Sequence, residues 1–483
     1  MNQGQTADLV HAPLAEWAQS RSDAVAIRDG VQTLTFAQLH AGVVQRSLDI
    51  GKAQAPATLW VNAGLPLIDR LVDFLAIISS GRCAAVADPD WPPMVWQAVS
   101  NAMPTQAVDL PSPQPESPFY IGYTSGSTGT PKGYMRDHQS WTHSFRACLD
   151  AFGPDAGSCI LAPGKDSHSL FLFGMLLGLW TGAGVVVQTQ FSAARALDTL
   201  RSGLTPCLVA VPSQLMLMVE VARRRGGDPI NAVKLILISG SRWIRSRTAA
   251  LRALFPKARI IEFYGASETS FIAWMDTDDS VPMQVVGRPF KNVEVQIRHD
   301  TTGNASEPAD STGLIYVRSP MVFNGYVGGG DDDTAAIRDG DWLCVRDLGY
   351  LDTQGRLCLA GRQSRMIVTK GKNLFAEELE TVLETHPSVT SASVHGVDDA
   401  LRGRQIVAIL KLKADAALPS RLQLAAWCRQ RLENYKSPRH YFVCDTWCVT
   451  ASGKTDHRAL AKMLPRHSDD AQPKFSPCLI PLR

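Results

Sequence analysis

Between residues 119 and 261, short apolar runs alternate with stretches of helical spacing. The runs at 158–161, 184–188, 207–211, 234–239 and 259–261 read as buried strands. Segments 213–225 and 246–255 place apolar residues three and four apart, as one face of a helix does. Alternation of this kind builds a parallel sheet with helices on its faces. The first 110 residues repeat the texture more loosely, with short strands at 24–27 and 84–87. A Pro-rich stretch at 110–118 then interrupts, because proline fits neither a helix interior nor a central strand. After Gly287 the pattern changes to strands with polar turns, at 293–298, 313–318 and 356–360. Beyond Arg362 a compact α+β pattern follows, with amphipathic helices at 376–384 and 422–432 and strands at 391–397 and 405–412. The last 17 residues, from His467, read as a loose tail.

One stretch tests the reading as a globular chain. Residues 170–187, LFLFGMLLGLWTGAGVVV, carry no charge over 18 positions, the length at which a membrane span must be considered. Four glycines and the closing Val185-Val186-Val187 divide the run instead into a buried helix, a glycine turn and a buried strand. No membrane span is expected.

Composition narrows the class. With 45% hydrophobic residues in a chain of 483, a substantial core can form and global disorder is excluded. The length exceeds one core and implies two or three domains. Lys and Arg number 48 against 46 Asp and Glu, so no net field recruits nucleic acid or an acidic membrane surface. The 10 cysteines are scattered without a Cys-x-x-Cys pair; the closest, Cys444 and Cys448, have no His/Cys cluster around them. Zinc and a disulfide scaffold are therefore not expected. The N-terminus lacks a basic patch followed by an apolar stretch, which points to a cytoplasmic protein with reduced thiols.

The sharpest local feature is Tyr123-Thr124-Ser125-Gly126-Ser127-Thr128-Gly129-Thr130-Pro131-Lys132-Gly133. Small residues let backbone N–H groups approach an anion, five hydroxyls can donate, and one lysine supplies charge, which is the chemistry of a phosphate cradle. Pro131 and Gly133 flank the lysine where a Walker A loop has Gly and Ser/Thr, so the design is a different one.

This string resembles the phosphate loop of the adenylate-forming superfamily: acyl-CoA synthetases, adenylation domains of peptide synthetases, and luciferases. Further likenesses follow in family order. Tyr264-Gly265-Ala266-Ser267-Glu268 is similar to the Tyr-Gly-x-Ser/Thr-Glu segment; the resemblance implies Ser267 on the α-phosphate and Glu268 holding Mg²⁺. A carboxylate after a tight small-residue turn also suits a hard cation in its own right. Ser239-Gly240-Ser241 resembles the segment lining adenine, although the bulky Arg242 and Trp243 follow it. Arg346-Asp347-Leu348-Gly349 is similar to Thr-Gly-Asp-Leu-Gly, with Asp347 accepting from ribose hydroxyls; Arg346 stands where the family has Gly. Gly361-Arg362 resembles the Gly-Arg before the interdomain hinge, placing Arg362 near the ribose and Ser364 at the pivot. Gly371-Lys372-Asn373-Leu374-Phe375 and the following Glu377-Glu378-Leu379-Glu380 are worded as in CoA ligases. Ser452-Gly453-Lys454 resembles the C-terminal loop whose lysine enters the site during adenylation.

The resemblance implies an α/β enzyme. A large N-terminal domain (1–362) would combine βαβ-type sheets with a small β-rich subdomain. A small mobile α+β domain (363–466) would carry Lys454, before a tail (467–483). It also implies ATP and Mg²⁺, a small carboxylic acid as substrate, and a thiol acceptor: CoA, or the phosphopantetheine of a separate carrier protein. A carboxylate attacks the α-phosphate, pyrophosphate leaves, and the thiol then displaces AMP. One site cannot hold Lys454 and the incoming thiol together, so the C-terminal domain should rotate between the halves. The stretch 168–174, His-Ser-Leu-Phe-Leu-Phe-Gly, has no acid to pair an ammonium, so a fatty or aryl acid fits better than an α-amino acid. His168 and Phe173 would border the acyl pocket, while a hydrogen-bonded core histidine is an equal reading of His168. A nucleotide-binding regulator without catalysis is the reading from another class; Lys132, Glu268, Asp347, Arg362 and Lys454 together argue against it.

Overall fold

The computed structural model describes residues 8–53, 55–124, 131–299, 312–327, 332–369, 372–399, 403–414, 416–450, 454–464 and 478–482. It divides into two compact units. The first holds residues 1–296, 316–345 and 354–357, the second 297–315, 346–353 and 358–483. The division therefore runs through the strands Glu294–Arg298, Gly313–Arg318 and Trp342–Leu351 rather than falling at Arg362 alone.

In the first unit a sheet runs in the order Val285–Pro289, Ser270–Asp276, Arg259–Ala266, Leu235–Ile238, Cys207–Ala210, Ile160–Ala162, Val185–Val187, Val25–Arg28, Thr33–Thr35. From Arg259–Ala266 to Val25–Arg28 the pairings are parallel, as the strand–helix alternation predicts. Parallel strands sit between helices, so all four residues of Leu235–Ile238 and of Cys207–Ala210 are buried. The helices Pro212–Arg224, Ala193–Arg201 and Thr248–Leu254 close one face over Leu208, Ile236, Leu215 and Trp243. Trp243 is thus core: its indole N–H donates to Thr248 Oγ1 at 2.9 Å.

The uncharged run becomes the helix Ser169–Trp180, a turn through Gly182 and Gly184 at positive φ, and the strand Val185–Val187. Leu170 through Leu179 are buried in this unit. No helix among the described residues is long and apolar enough to cross a membrane.

A second sheet of the same unit has the order Gly325–Val327, Lys132–Asp137, Pro118–Thr124, Cys83–Ala85, Thr58–Trp60. The strand Pro118–Thr124 leads into the glycine-rich segment, antiparallel to Lys132–Asp137 with Thr124 opposite Lys132.

The second unit is α+β. Its sheet runs Val389–Asp399, Gly403–Leu412, His440–Cys444, Leu479–Pro481, and the helices Ala376–Glu384 and Arg421–Arg429 cover one side. Ser420 caps the second helix by accepting from Gln423 N, and Gln423 returns the bond, a reciprocal cap that fixes its start. The expectation of a loose tail from His467 is corrected at its far end. Residues 479–481 pair with His440–Cys444, because Leu479 and Leu482 find apolar cover there, at 4% and 8% exposure. Residues 465–477 lie outside the described residues.

Candidate functional site

The first unit gathers the candidate phosphate, adenine and metal residues at strand ends. Leu235–Ile238 and Arg259–Ala266 are parallel neighbours, and the segments 239–241 and 267–269 leave their carboxyl ends side by side. In open α/β sheets such ends form the ligand crevice. Gly240 turns with φ +87°, a conformation that favours glycine, and Ser239 Oγ donates to Phe263 O at 3.0 Å. Tyr264, Gly265 and Ala266 finish a strand that is longer than the 259–261 read from the sequence. At Gly265 a Cβ would fall 1.8 Å from Ser270 O, so only glycine permits the hairpin to close. Thr269 is fully buried and locks the turn: its hydroxyl accepts from Ala266 N at 3.2 Å.

Glu268 projects from this turn, half-buried. Tyr326, on the strand beside Lys132–Asp137, donates its hydroxyl to Glu268 Oε1 at 2.8 Å. Lys132 begins the adjacent strand; its Nζ lies 4.7 Å from the Tyr326 ring centroid and 2.6 Å from Asp333 Oδ2. Charge and carboxylate thus meet around one tyrosine. Beneath them Arg136, 1% exposed, donates to Ser267 O at 2.8 Å, Ser270 Oγ at 2.8 Å and Met321 O at 2.6 Å. Burial lowers its guanidinium to about 10, and Asp137 is foremost among the neighbours that oppose that shift. Arg136 sits four residues after Lys132, so one strand supplies the cation and pins the turn carrying Ser267 and Glu268. Ser125, Gly126, Ser127, Thr128 and Gly129 lie outside the described residues; Thr124 and Lys132, which flank them, are paired across the hairpin.

Among the described residues no group of three or more His, Cys, Asp or Glu is placed to hold a metal. A single braced carboxylate fits Mg²⁺, which commonly takes one or two carboxylates and completes its shell with water and phosphate oxygens. The residues present therefore suit the ion.

His168 precedes the helix Ser169–Trp180 as its N-cap residue and packs on Phe171 at 5.2 Å between centroids. Phe173 is a member of the aromatic core, against Phe145 at 5.2 Å, Phe271 at 5.1 Å and Trp141 at 5.8 Å. The two residues expected to border one pocket thus have different surroundings. Ser241, at the end of its turn, is exposed.

The second unit holds the remaining candidates. Arg362 Nε lies 3.5 Å from Asp347 Oδ1, so these two are brought together. Arg346 keeps the turn expected of a family glycine: its φ is +58°, left-handed for a side-chain-bearing residue. Ser364 is exposed in the single turn Gln363–Arg365. Lys454 sits in a tight loop: its N–H donates to Thr450 Oγ1 at 3.2 Å and Thr450 N–H donates to its carbonyl at 2.7 Å. The residue as a whole is exposed, yet crowding of the ammonium and then the charge of Arg362 lower its pKa.

Tyr326, Asp333 and Arg136 escaped the sequence reading. Tyr326 and Asp333 flank a Gly-Gly-Gly-Asp-Asp stretch far from the loop in the chain; strand pairing carries Tyr326 to Lys132, and Asp333 reaches it from the short helix Asp332–Ala335. Arg136 did carry a signal, a lone arginine in the strand directly after the loop.

Comparison with known proteins places this architecture. Residues 57–327 match the AMP-binding enzyme model and residues 378–454 the AMP-binding enzyme C-terminal domain. The chain is 38% identical over 356 residues to an uncharacterized acyl–CoA ligase, YhfT, of Bacillus subtilis, covering 74% of this chain and 70% of that one. It is 31% identical over 350 residues to a 2-succinylbenzoate–CoA ligase of Geobacillus kaustophilus, covering 72% and 69%. Its fold is shared with the Bacillus subtilis O-succinylbenzoate CoA synthetase solved with ATP and magnesium, at a TM-score of 0.80, 24% identity and coverage of 93% and 98%. The fold and the paired domains are those of an adenylate-forming ligase. The chain belongs to the AMP-binding enzyme family.

Proposed function

We propose that the chain activates a fatty or aryl acid with ATP and transfers the acyl group to coenzyme A, in the cytoplasm. The observation that carries this reading is the meeting of Lys132, Tyr326 and Glu268 at the crevice end of the parallel sheet, in a chain closely related to an acyl–CoA ligase. Ten free cysteines fit a reducing compartment.

In the first half-reaction a carboxylate oxygen attacks the α-phosphorus, and the bond to pyrophosphate breaks. In the second, the thiolate attacks the acyl carbon and AMP leaves. The protein's work is to position and to neutralise. Lys132 exchanges Asp333 for phosphate oxygens, Ser267 donates to the α-phosphate, and Asp347 and Arg362 hold the ribose. Gly240, Ser241, Tyr264, Gly265 and Ala266 frame the nucleotide base and sugar, and Lys454 meets the charge developing between carboxylate and phosphate. Mg²⁺, held by Glu268, supplies charge neutralisation on the phosphates when bound. His168 borders the acyl group, and the acid-free helix start selects against an ammonium. Residues 363–466, pivoting at Ser364, form the lid.

A pyrophosphate-release screen across fatty, aryl and amino acids, with CoA added afterwards, tests the reading. Release with a fatty or aryl acid and an acyl-CoA product are expected. Release with α-amino acids alone, or acylation of a carrier protein but not CoA, overturns it. Lys454→Ala is expected to abolish ATP–pyrophosphate exchange while sparing thioester formation from supplied acyl-adenylate. Equal loss of both halves defeats the assignment of Lys454.

A further inference from the structure

A half-buried polar chain in the second unit ends three residues beyond Lys454. It begins at Arg365, in the turn that contains Ser364. Arg365 grips Glu380 of the helix Ala376–Glu384 with both terminal nitrogens, one at 3.0 Å, and also reaches Glu377 at 3.2 Å. Glu380, 7% exposed, accepts from Val394 N at 2.7 Å and lies 3.4 Å from His457 Nδ1. His457 Nδ1 is 2.8 Å from Ser393 Oγ, and the same hydroxyl is 2.8 Å from His395 Nε2. Ser393 is fully buried. One hydroxyl proton cannot serve two rings. The carboxylate beside His457 favours the proton on Nδ1, so His457 donates to Ser393 and Ser393 donates to His395.

His457 opens the helix His457–Lys462, whose cap is Asp456, accepting from Arg458 N at 3.1 Å and Ala459 N at 2.9 Å. Lys454 lies just inside the loop that the bridge from Val449 to Thr455 closes, and Asp456 alone joins that bridge to the anchored ring of His457. Anchoring the ring fixes the helix start, and the helix start fixes the far end of the lysine loop. A loose loop would leave Lys454 free to sample many positions, and a displacement of about 1 Å at a charge-stabilising group costs up to about a hundredfold in rate.

We infer that His457 is a positioning residue for Lys454, held by Ser393 and Glu380 in a polar chain that starts at Arg365 in the pivot turn. The inference rests on the reading of Lys454 given above, and the test separates the two. ATP–pyrophosphate exchange and thioester formation from supplied acyl-adenylate are measured for Lys454→Ala, His457→Ala, His457→Asn and Ser393→Ala, with Tm as the control for folding. His457→Ala and Ser393→Ala should slow exchange on the order of tenfold or more through kcat, with thioester formation nearly unchanged. His457→Asn, which keeps a donor near the Nδ1 position, should recover a large part of the exchange rate. If Lys454→Ala abolishes exchange but His457→Ala leaves it intact, the positioning role is overturned. So is it if His457→Ala lowers both halves together and His457→Asn restores neither. If Lys454→Ala spares exchange, the reading of Lys454 itself has failed, and the role of His457 falls with it.

Discussion

At the scale of single residues, the departures from family wording carry the most information. Arg346 stands where a glycine is usual, and the backbone still takes the left-handed turn, at φ +58°. Such a residue carries a penalty of roughly 1–2 kcal/mol that glycine escapes, partly offset by the greater freedom of glycine in the unfolded chain. Arg346→Gly should therefore stabilise the protein by up to about 1 kcal/mol in a denaturant titration; a loss of stability would show that the arginine side chain compensates. Tyr326 has the opposite character, a residue without any motif that braces the candidate Mg²⁺ ligand. Tyr326→Phe keeps the ring under Lys132 and deletes the hydroxyl. The Mg²⁺ concentration for half-maximal pyrophosphate exchange should rise on the order of tenfold, with Tm little changed. An unaltered Mg²⁺ dependence would remove Tyr326 from the site.

At the scale of elements, the strong signals held. Periodicity places the parallel strands within one or two residues, except that Arg259–Ala266 runs five residues past its expected end, and the uncharged run resolves into helix, turn and strand. The helix Ala376–Glu384 starts and stops where its amphipathic pattern does. What was not legible has a common cause, which is pairing across long sequence gaps. Arg136 with Ser267, Tyr326 with Glu268, and Asp333 with Lys132 meet side chain to partner across 58 to 201 residues of chain. The strand Leu479–Pro481 belongs to the same group, since three residues leave no measurable alternation. It covers the edge of His440–Cys444 and buries two leucines. Truncation after residue 477 should lower the stability of the second unit by about 3 kcal/mol or more, at roughly 1.5–3 kcal/mol per buried leucine. Unchanged melting of the truncated chain would contradict the pairing.

At the scale of the whole molecule, pH acts on the second unit through two half-buried histidines. Burial, followed by the charge of Arg365, lowers both His395 and His457 from 6.5 to about 3. Between those values the unfolded chain binds protons that the folded one refuses, so stability rises with pH across that window and is flat above it. Tm of the full chain should fall as pH drops from 6.5 toward 4. Replacing His395 and His457 together by Gln should flatten this part of the dependence; an unchanged slope would place its origin elsewhere. The near-neutral formal charge of +2 is also informative at this scale, because charge has been concentrated in local pairs rather than spread as a field.

The pairing of Lys132 with Asp333 has a thermodynamic consequence. A lysine awaiting phosphate in water would bind ATP by attraction alone, with an affinity that falls steeply as salt rises. Here the cation already carries its own counter-ion, 2.6 Å away on the same unit. In the proposed role of Lys132 as a phosphate ligand, nucleotide entry would be an ion exchange, with the Asp333 carboxylate released to solvent as a phosphate takes its place. Part of the attraction is spent on breaking the resident pair, and that contribution is screened on both sides of the equilibrium. ATP binding by Asp333→Asn should be both tighter and more salt-sensitive than that of the native chain. In that proposed role the acidic residue would set how easily the phosphates leave again.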